Sequence, residues 1–178
     1  MKRFLILALG LATVAFATVA EAHGPSRIKV IKTVDVAAPP AKVWGIIADF
    51  DKINTWLPAV EKVDASGGNS PNSAKRVLHL KSGGVIEENL TKYNASSMSY
   101  SYEIPKVDPK VLPVNDYSST ITVSDNGKGG STVEWRGAFY RGYMNNDPPP
   151  DQTDEASQAA VAGVYDLGLA TIKSLAEK

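Results

Sequence analysis

The chain has no cysteine and two histidines in 178 residues, and its 19 basic side chains are balanced by 19 acidic ones. Each shortage removes a class of function. Without cysteine there is no disulfide, no thiolate metal site and no cysteine nucleophile. The histidines, His23 and His79, lie far apart and form no HExxH pair. A formal net charge of zero argues against the broad basic face that nucleic acid demands. No glycine-rich loop follows a strand and opens a helix. "GKGG" (127–130) sits between two strand-like runs and reads as a hairpin turn. Nothing marks a serine nucleophile. The expectation is a protein with no cofactor and no metal.

What is present begins with a leader. Lys2 and Arg3 precede "FLILALGLATVAFATV", and Ala20-Glu21-Ala22 has the small-x-small form of a cleavage site. The apolar run is short for a span of about 20 residues, so residues 1–22 are expected to be a cleaved signal peptide, with no stable membrane anchor. The mature chain, 23–178, is expected to form one domain and carries 17 basic and 18 acidic residues. In a bacterial host its location is the periplasm. A free His23 amine and imidazole would make half of a copper brace, but "HGPSR" reads more simply as a loose terminus.

Alternation of apolar and polar residues marks strands at 27–36, 59–65, 74–82, 85–93, 98–105, 117–126 and 131–142. Glycine pairs, "GGNSPNS" and "NASS" supply the turns. After the first strand, Pro40 opens a short helix with Val43, Trp44, Ile46 and Ile47 on one stripe. Asp49 caps a second, containing Phe50, Ile53 and Trp56 or Leu57, and Pro58 ends it. The three prolines of "MNNDPPPDQTD" favour extended chain, and Asp151 with Asp154 resembles a weak capping box. From Glu155 to Glu177 the spacing predicts a long helix. Val161, Tyr165, Leu169, Ile172 and Ala176 share one face, widened by Val164, Leu167 and Leu175. An antiparallel sheet curled round that helix buries both apolar faces.

Candidate chemistry is sparse. His79 shares the Val77 side of its strand and reads as a surface or cavity-edge histidine. Glu87 and Glu88 are adjacent, so they point to opposite faces and cannot pair as two catalytic carboxylates. Whichever points inward needs a donor, with Arg76 and Arg136 as candidates. Tyr100, Tyr102, Tyr117 and Trp135 form aromatic stripes that serve either as core or as the lining of an apolar pocket. Gly163 and Gly168 inside the long helix signal close packing or space left for something bulky.

"VWGIIADFDKINTWLPAVEKVDASGGN", "GGVIEENLTKY", "LPVNDYSSTITV", "STVEWRGAFYRG" and "GVYDLGLATIKSLAEK" resemble the polyketide cyclase/dehydrase-like branch of the START-type (SRPBCC) superfamily. The resemblance implies an α+β helix-grip (START/Bet v 1-like) fold. This is a seven-stranded curved antiparallel sheet around a long C-terminal helix, with two short helices after strand 1 and a cavity between. "HGPSR" after a leader, "KVLPVNDYSST" and "VEWRGAFYRGYMNNDPPP" further resemble the MxaD-type periplasmic accessory proteins of bacterial methanol oxidation. That resemblance implies methanol dehydrogenase and its cytochrome c as partners, and the aromatic and proline-stiffened loops offer Trp56, Pro113, Tyr140, Tyr143 and Pro149 as the contact set. Many relatives read Trp-His-Pro where this chain has Trp56-Leu57-Pro58, which weakens an enzyme reading. Glu88 matches a glutamate that the family shares, to which only a cavity or structural role is carried over. The cavity set is Trp56, His79, Glu87, Glu88, Tyr100, Tyr102, Tyr117 and Trp135, for a small hydrophobic ligand. A cyclase or dehydratase is the remaining alternative.

Overall fold

The computed structural model describes residues 24–178. The expected signal peptide, its cleavage site and His23 lie outside the described residues. The chain runs β1 (Ile28–Val36), α1 (Pro40–Ile47), a 3-10 turn (Phe50–Thr55), β2 (Val60–Ser66), β3 (Lys75–Leu80) and β4 (Val85–Asn94). It continues with β5 (Ser99–Ile104), β6 (Val114–Asp125), β7 (Ser131–Arg141), a 3-10 turn (Pro150–Gln152) and α2 (Asp154–Ala176). All seven strands join one antiparallel sheet in the order β1-β7-β6-β5-β4-β3-β2. Strands β1 and β2 therefore sit on opposite edges, and α1 with the first 3-10 turn carries the chain between them.

Alternation decides the faces. Along β7, Ser131, Val133, Trp135, Gly137, Phe139 and Arg141 are buried, while Glu134, Arg136 and Tyr140 turn the other way. Helix α2 lies on the inner face against β1 and β7 and touches α1. It buries Val161, Tyr165, Leu169, Ile172 and Ala176 as the spacing predicts, with Ser157 and Gly168 added. This is the curved sheet gripping a terminal helix. Leu167 departs from expectation and is 44% exposed. It stands two residues from both Tyr165 and Leu169, so a rotation of about 100° per residue puts it on the far side.

Two caps also differ. Thr153, not the Asp151–Asp154 pair, caps α2: its backbone is extended and its hydroxyl accepts from the Ala156 N–H at 3.1 Å. Asp151 is already inside the preceding 3-10 turn. Asp49 occupies the cap position of the first 3-10 turn, but its carboxylate accepts from Lys52 Nζ at 2.6 Å. The Phe50 N–H there donates instead to Asn69 Oδ1 at 2.9 Å. At the far end of α2, Lys173 donates to the Asp35 carbonyl and Glu177 accepts from the Ala37 N–H. The Ala37 N–H, and after it the Lys173 ammonium 2.9 Å away, hold the carboxyl of Glu177 below its ordinary range.

The two helix glycines separate into two roles. A Cβ on Gly168 would stand 2.6 Å from Trp135 Cζ3 and 3.3 Å from Leu57 Cδ1, so this glycine permits close approach. Gly163 faces open space. Gly168→Ala is therefore expected to destabilise by about 1–3 kcal/mol through overpacking. Gly163→Ala should stabilise by up to about 1 kcal/mol, the helix preference of alanine. Thermal unfolding of the two variants checks the opposite signs.

Candidate functional site

The inner face of the sheet is filled with rings. Trp56 closes the first 3-10 turn, is 1% exposed and meets Trp135 edge-on with centroids 5.4 Å apart. Trp135 stacks on Tyr165 of α2 at 4.3 Å and 13°. Tyr102 and Tyr117 follow at 6.1 Å, and Phe139 stacks on Tyr117. Nearer the other end, Phe50 stands edge-on to Tyr100, and the half-buried Trp44 packs on Tyr93 and Tyr100.

The hydroxyls form a directed chain. Ser119 Oγ donates to the Arg136 carbonyl at 2.9 Å, which uses its single proton. It must then accept from Trp135 Nε1 (3.0 Å) and from Tyr165 (3.0 Å). Tyr165 has spent its proton on Ser119, so Tyr117 is the donor in the 2.6 Å contact between the two phenols. Gly137 makes this possible, since a Cβ there would collide with the Tyr165 hydroxyl. Burial pushes Tyr165 up to about 12 and raises Tyr100, Tyr102 and Tyr117 further. All four phenols stay protonated near neutrality and none serves as a base.

One charged pair lies inside. Arg76 on β3 faces Glu88 on β4 across the ladder, both at 5% exposure or less. Arg76 Nε donates to Glu88 Oε2 at 2.5 Å, and Nη1 donates to the Phe50 carbonyl at 2.5 Å. The guanidinium also lies 3.9 Å over the Phe50 ring. Burial pushes the Glu88 carboxyl above its ordinary range, and Arg76 pulls it part of the way back. Desolvation works against the Arg76 charge, but the Glu88 carboxylate beside it outweighs that cost, so Arg76 stays protonated.

Between sheet and helix lies a cavity of about 80 Å³, lined by Ile53, Leu57, Leu78, Ile86, Glu88, Tyr102, Tyr117, Trp135 and Val164, with other aliphatics. Ligand pockets commonly run to about 300–1,000 Å³. Glu88, Tyr102, Tyr117 and Trp135 thus reach the cavity as expected. Tyr100 is buried behind them, in the core near Phe50.

Three expectations are corrected. His79 is not a cavity residue: it points outward and its Nε2 lies 2.8 Å from Asp64 Oδ2. Glu87 is exposed on the outer face, because strand alternation gives the inner position to Glu88. Trp56 is neither exposed for a partner nor among the residues lining the cavity. Phe50, Ile53 and Trp56 recur every three residues, the repeat of a 3-10 turn, and all three are buried in the core. Arg136 is likewise exposed on the outer face, 3.9 Å from Glu134, and Arg76 alone serves Glu88. Of the remaining surface set, Pro113, Tyr140, Tyr143 and Pro149 are half-buried.

Reading the sequence missed Arg141 and Ser119. Arg141 is 9% exposed and donates to the carbonyls of Tyr143 (2.7 Å) and Asn145 (2.9 Å). Asn115 Nδ2 donates to the Arg141 and Gly142 carbonyls. The loop carrying Tyr143 and Pro149 is therefore braced from beneath. An arginine on the inward parity of β7 was the available signal. Nothing in the sequence marked Ser119, whose partners are brought together by α2.

A family model described as polyketide cyclase / dehydrase and lipid transport matches residues 27–177. Among solved structures, the protein XoxI from Bacillus cereus superposes with a TM-score of 0.70 at 27% identity, covering 83% of this chain and 94% of that one. A protein from Thermobifida fusca gives 0.65 at 26% identity, covering 82% and 90%. The ZhuI aromatase/cyclase from Streptomyces sp. R1128 gives 0.70 at 20% identity, covering 85% and 94%, which is a likeness of fold. No curated protein matches the chain.

Proposed function

We propose, from the premise that this chain belongs to the polyketide cyclase / dehydrase and lipid transport family, that it works through its surface, as a periplasmic accessory protein of methanol oxidation. In this reading it promotes the productive encounter of methanol dehydrogenase with its cytochrome c. The observation that carries the surface role is the filled interior. Trp56, Trp135 and Tyr165 occupy the space between sheet and helix and leave about 80 Å³. The choice of partners rests on the resemblance of "HGPSR", "KVLPVNDYSST" and "VEWRGAFYRGYMNNDPPP" to the MxaD-type proteins. Pro113, Tyr140, Tyr143 and Pro149 supply a contact surface, and the Arg141 brace lowers the ordering cost on binding.

The test is surface plasmon resonance with immobilised mature protein. Saturable binding of methanol dehydrogenase or the cytochrome is expected, weakened about tenfold by Tyr143→Ala. No association up to high micromolar concentration overturns the reading.

A second reading has its own observation: the Glu88 carboxyl reaches the small cavity. A compact, largely apolar ligand with one hydrogen-bond donor fits there, and native mass spectrometry of protein from its own host checks it. A cyclase or dehydratase reading is weaker. It needs a free acid or base, and Glu88 is engaged by Arg76.

A further inference from the structure

The outer face of the sheet carries a groove of about 570 Å³. Strand register explains it. Ile31, Arg136, Thr120, Ser101 and Lys92 are consecutive partners across β1, β7, β6, β5 and β4. The neighbouring row is Lys29, Ala138, Ser118 and Glu103. Small side chains in the middle, Ala138, Ser118, Ser101 and Thr120, make a low floor. Long ones at the ends make walls. Ser101 and Thr120 bond to each other at 2.9 Å, so the floor is held in place.

The charges are asymmetric. Lys29, Lys92 and Arg136 are exposed and line the groove, against one carboxylate, Glu103. Among the described residues, Lys29 and Lys92 enter no ion pair, and Arg136 has only the long 3.9 Å contact to Glu134. Three strand spacings separate Arg136 from Lys92, about 14 Å at about 4.8 Å each. One carboxylate cannot bridge that distance. An extended peptide, rising about 3.3 Å per residue, presents acidic side chains four residues apart at about 13 Å. Nucleic acid fits poorly, because its phosphates recur about every 3.4 Å per strand, far denser than these cations. Ile31, 59% exposed at the end of the row, offers an apolar contact beside the Arg136 end.

We infer that this groove docks an extended acidic segment of a partner protein, its carboxylates spaced to meet Arg136 with Lys29 at one end and Lys92 at the other. The inference rests on the accessory reading for the partner's being a protein. The probe is a fluorescein-labelled peptide with two aspartates four residues apart in a serine-valine background, followed by anisotropy against the mature protein. Its asparagine counterpart is the control. The aspartate peptide should bind at least fivefold tighter than the control. Arg136→Gln and Lys92→Gln should each reduce binding at least fivefold with unchanged thermal unfolding, and added salt should weaken it. Equal binding of the two peptides, no effect of either variant, or binding confined to anionic phospholipid vesicles overturns the proposal. If the peptide fails while methanol dehydrogenase or cytochrome still binds, the groove assignment falls and the accessory reading stands. If the peptide binds and neither protein does, the choice of those partners falls by itself.

Discussion

Replacing Arg76 by methionine should cost about 3–5 kcal/mol at pH 7, because it strands the Glu88 carboxylate inside the core. The same range applies to Glu88→Leu, which strands a guanidinium that cannot give up its proton. The double replacement should recover most of the loss. Two buried charges are exchanged for apolar side chains of similar volume, a change that is often neutral or stabilising. Chemical denaturation of the four proteins forms a cycle whose coupling energy exceeds about 2 kcal/mol. Additive losses would show that Arg76 and Glu88 do not act as a pair.

The pH dependence of Arg76→Met gives an independent check. Burial already raises the Glu88 pKa in the native protein, and removing the cation raises it further. A folded-state pKa above the unfolded one contributes stability that is present below the unfolded value and is lost as pH rises through the folded one. The Arg76→Met deficit should therefore shrink as pH falls toward 4.5, the ordinary value for this carboxyl, and widen above it. A deficit that grows in acid would contradict the burial assigned to Glu88.

Trp56→Ala should also cost about 3–5 kcal/mol, the range for emptying a ring from a packed core. For a domain of this size that lowers Tm by roughly 10–15 °C. The more telling consequence is a gain. The ring that stands against Trp135 would be gone, and an apolar void of that size stays dry and accepts a guest. Indole should raise the Tm of Trp56→Ala in a concentration-dependent way and leave the native protein unchanged. Trp56→Phe should lose far less, since it keeps most of the ring and removes an indole N–H that has no partner among the described residues. Equal stabilisation of native protein by indole would mean that the interior is already open, which favours the ligand-carrying reading over the accessory one.

Period-two alternation placed the strands well because nearly every strand has one buried and one wet face, as β7 does. It also placed His79 with Val77, away from Leu78, and the structure keeps it there. Glu88 shares the parity of the apolar Ile86 and Leu90, which are buried, so the inner position was legible there; what the sequence could not supply was the register that sets Glu88 against Arg76. The two short helices stand where the sequence puts them, and what differs is the role given to Trp56. Phe50, Ile53 and Trp56 follow the threefold repeat of a 3-10 turn and are all buried, which leaves Trp56 no exposed ring for a partner. The hydroxyl chain was not legible at all. Tyr117 and Tyr165 are 48 residues apart, and only the docking of α2 brings them together.

The order of elements along the chain has a kinetic consequence. Strand β1 finds its hydrogen-bonding neighbour in β7, as Ile28 opposite Phe139 illustrates, and the core is sealed by α2, which comes after every strand. A ribosome that has delivered the first six strands has delivered an edge without its mate and a concave apolar surface without its plug. Such non-local pairing folds slowly. The growing polypeptide therefore cannot close its core until synthesis is nearly done.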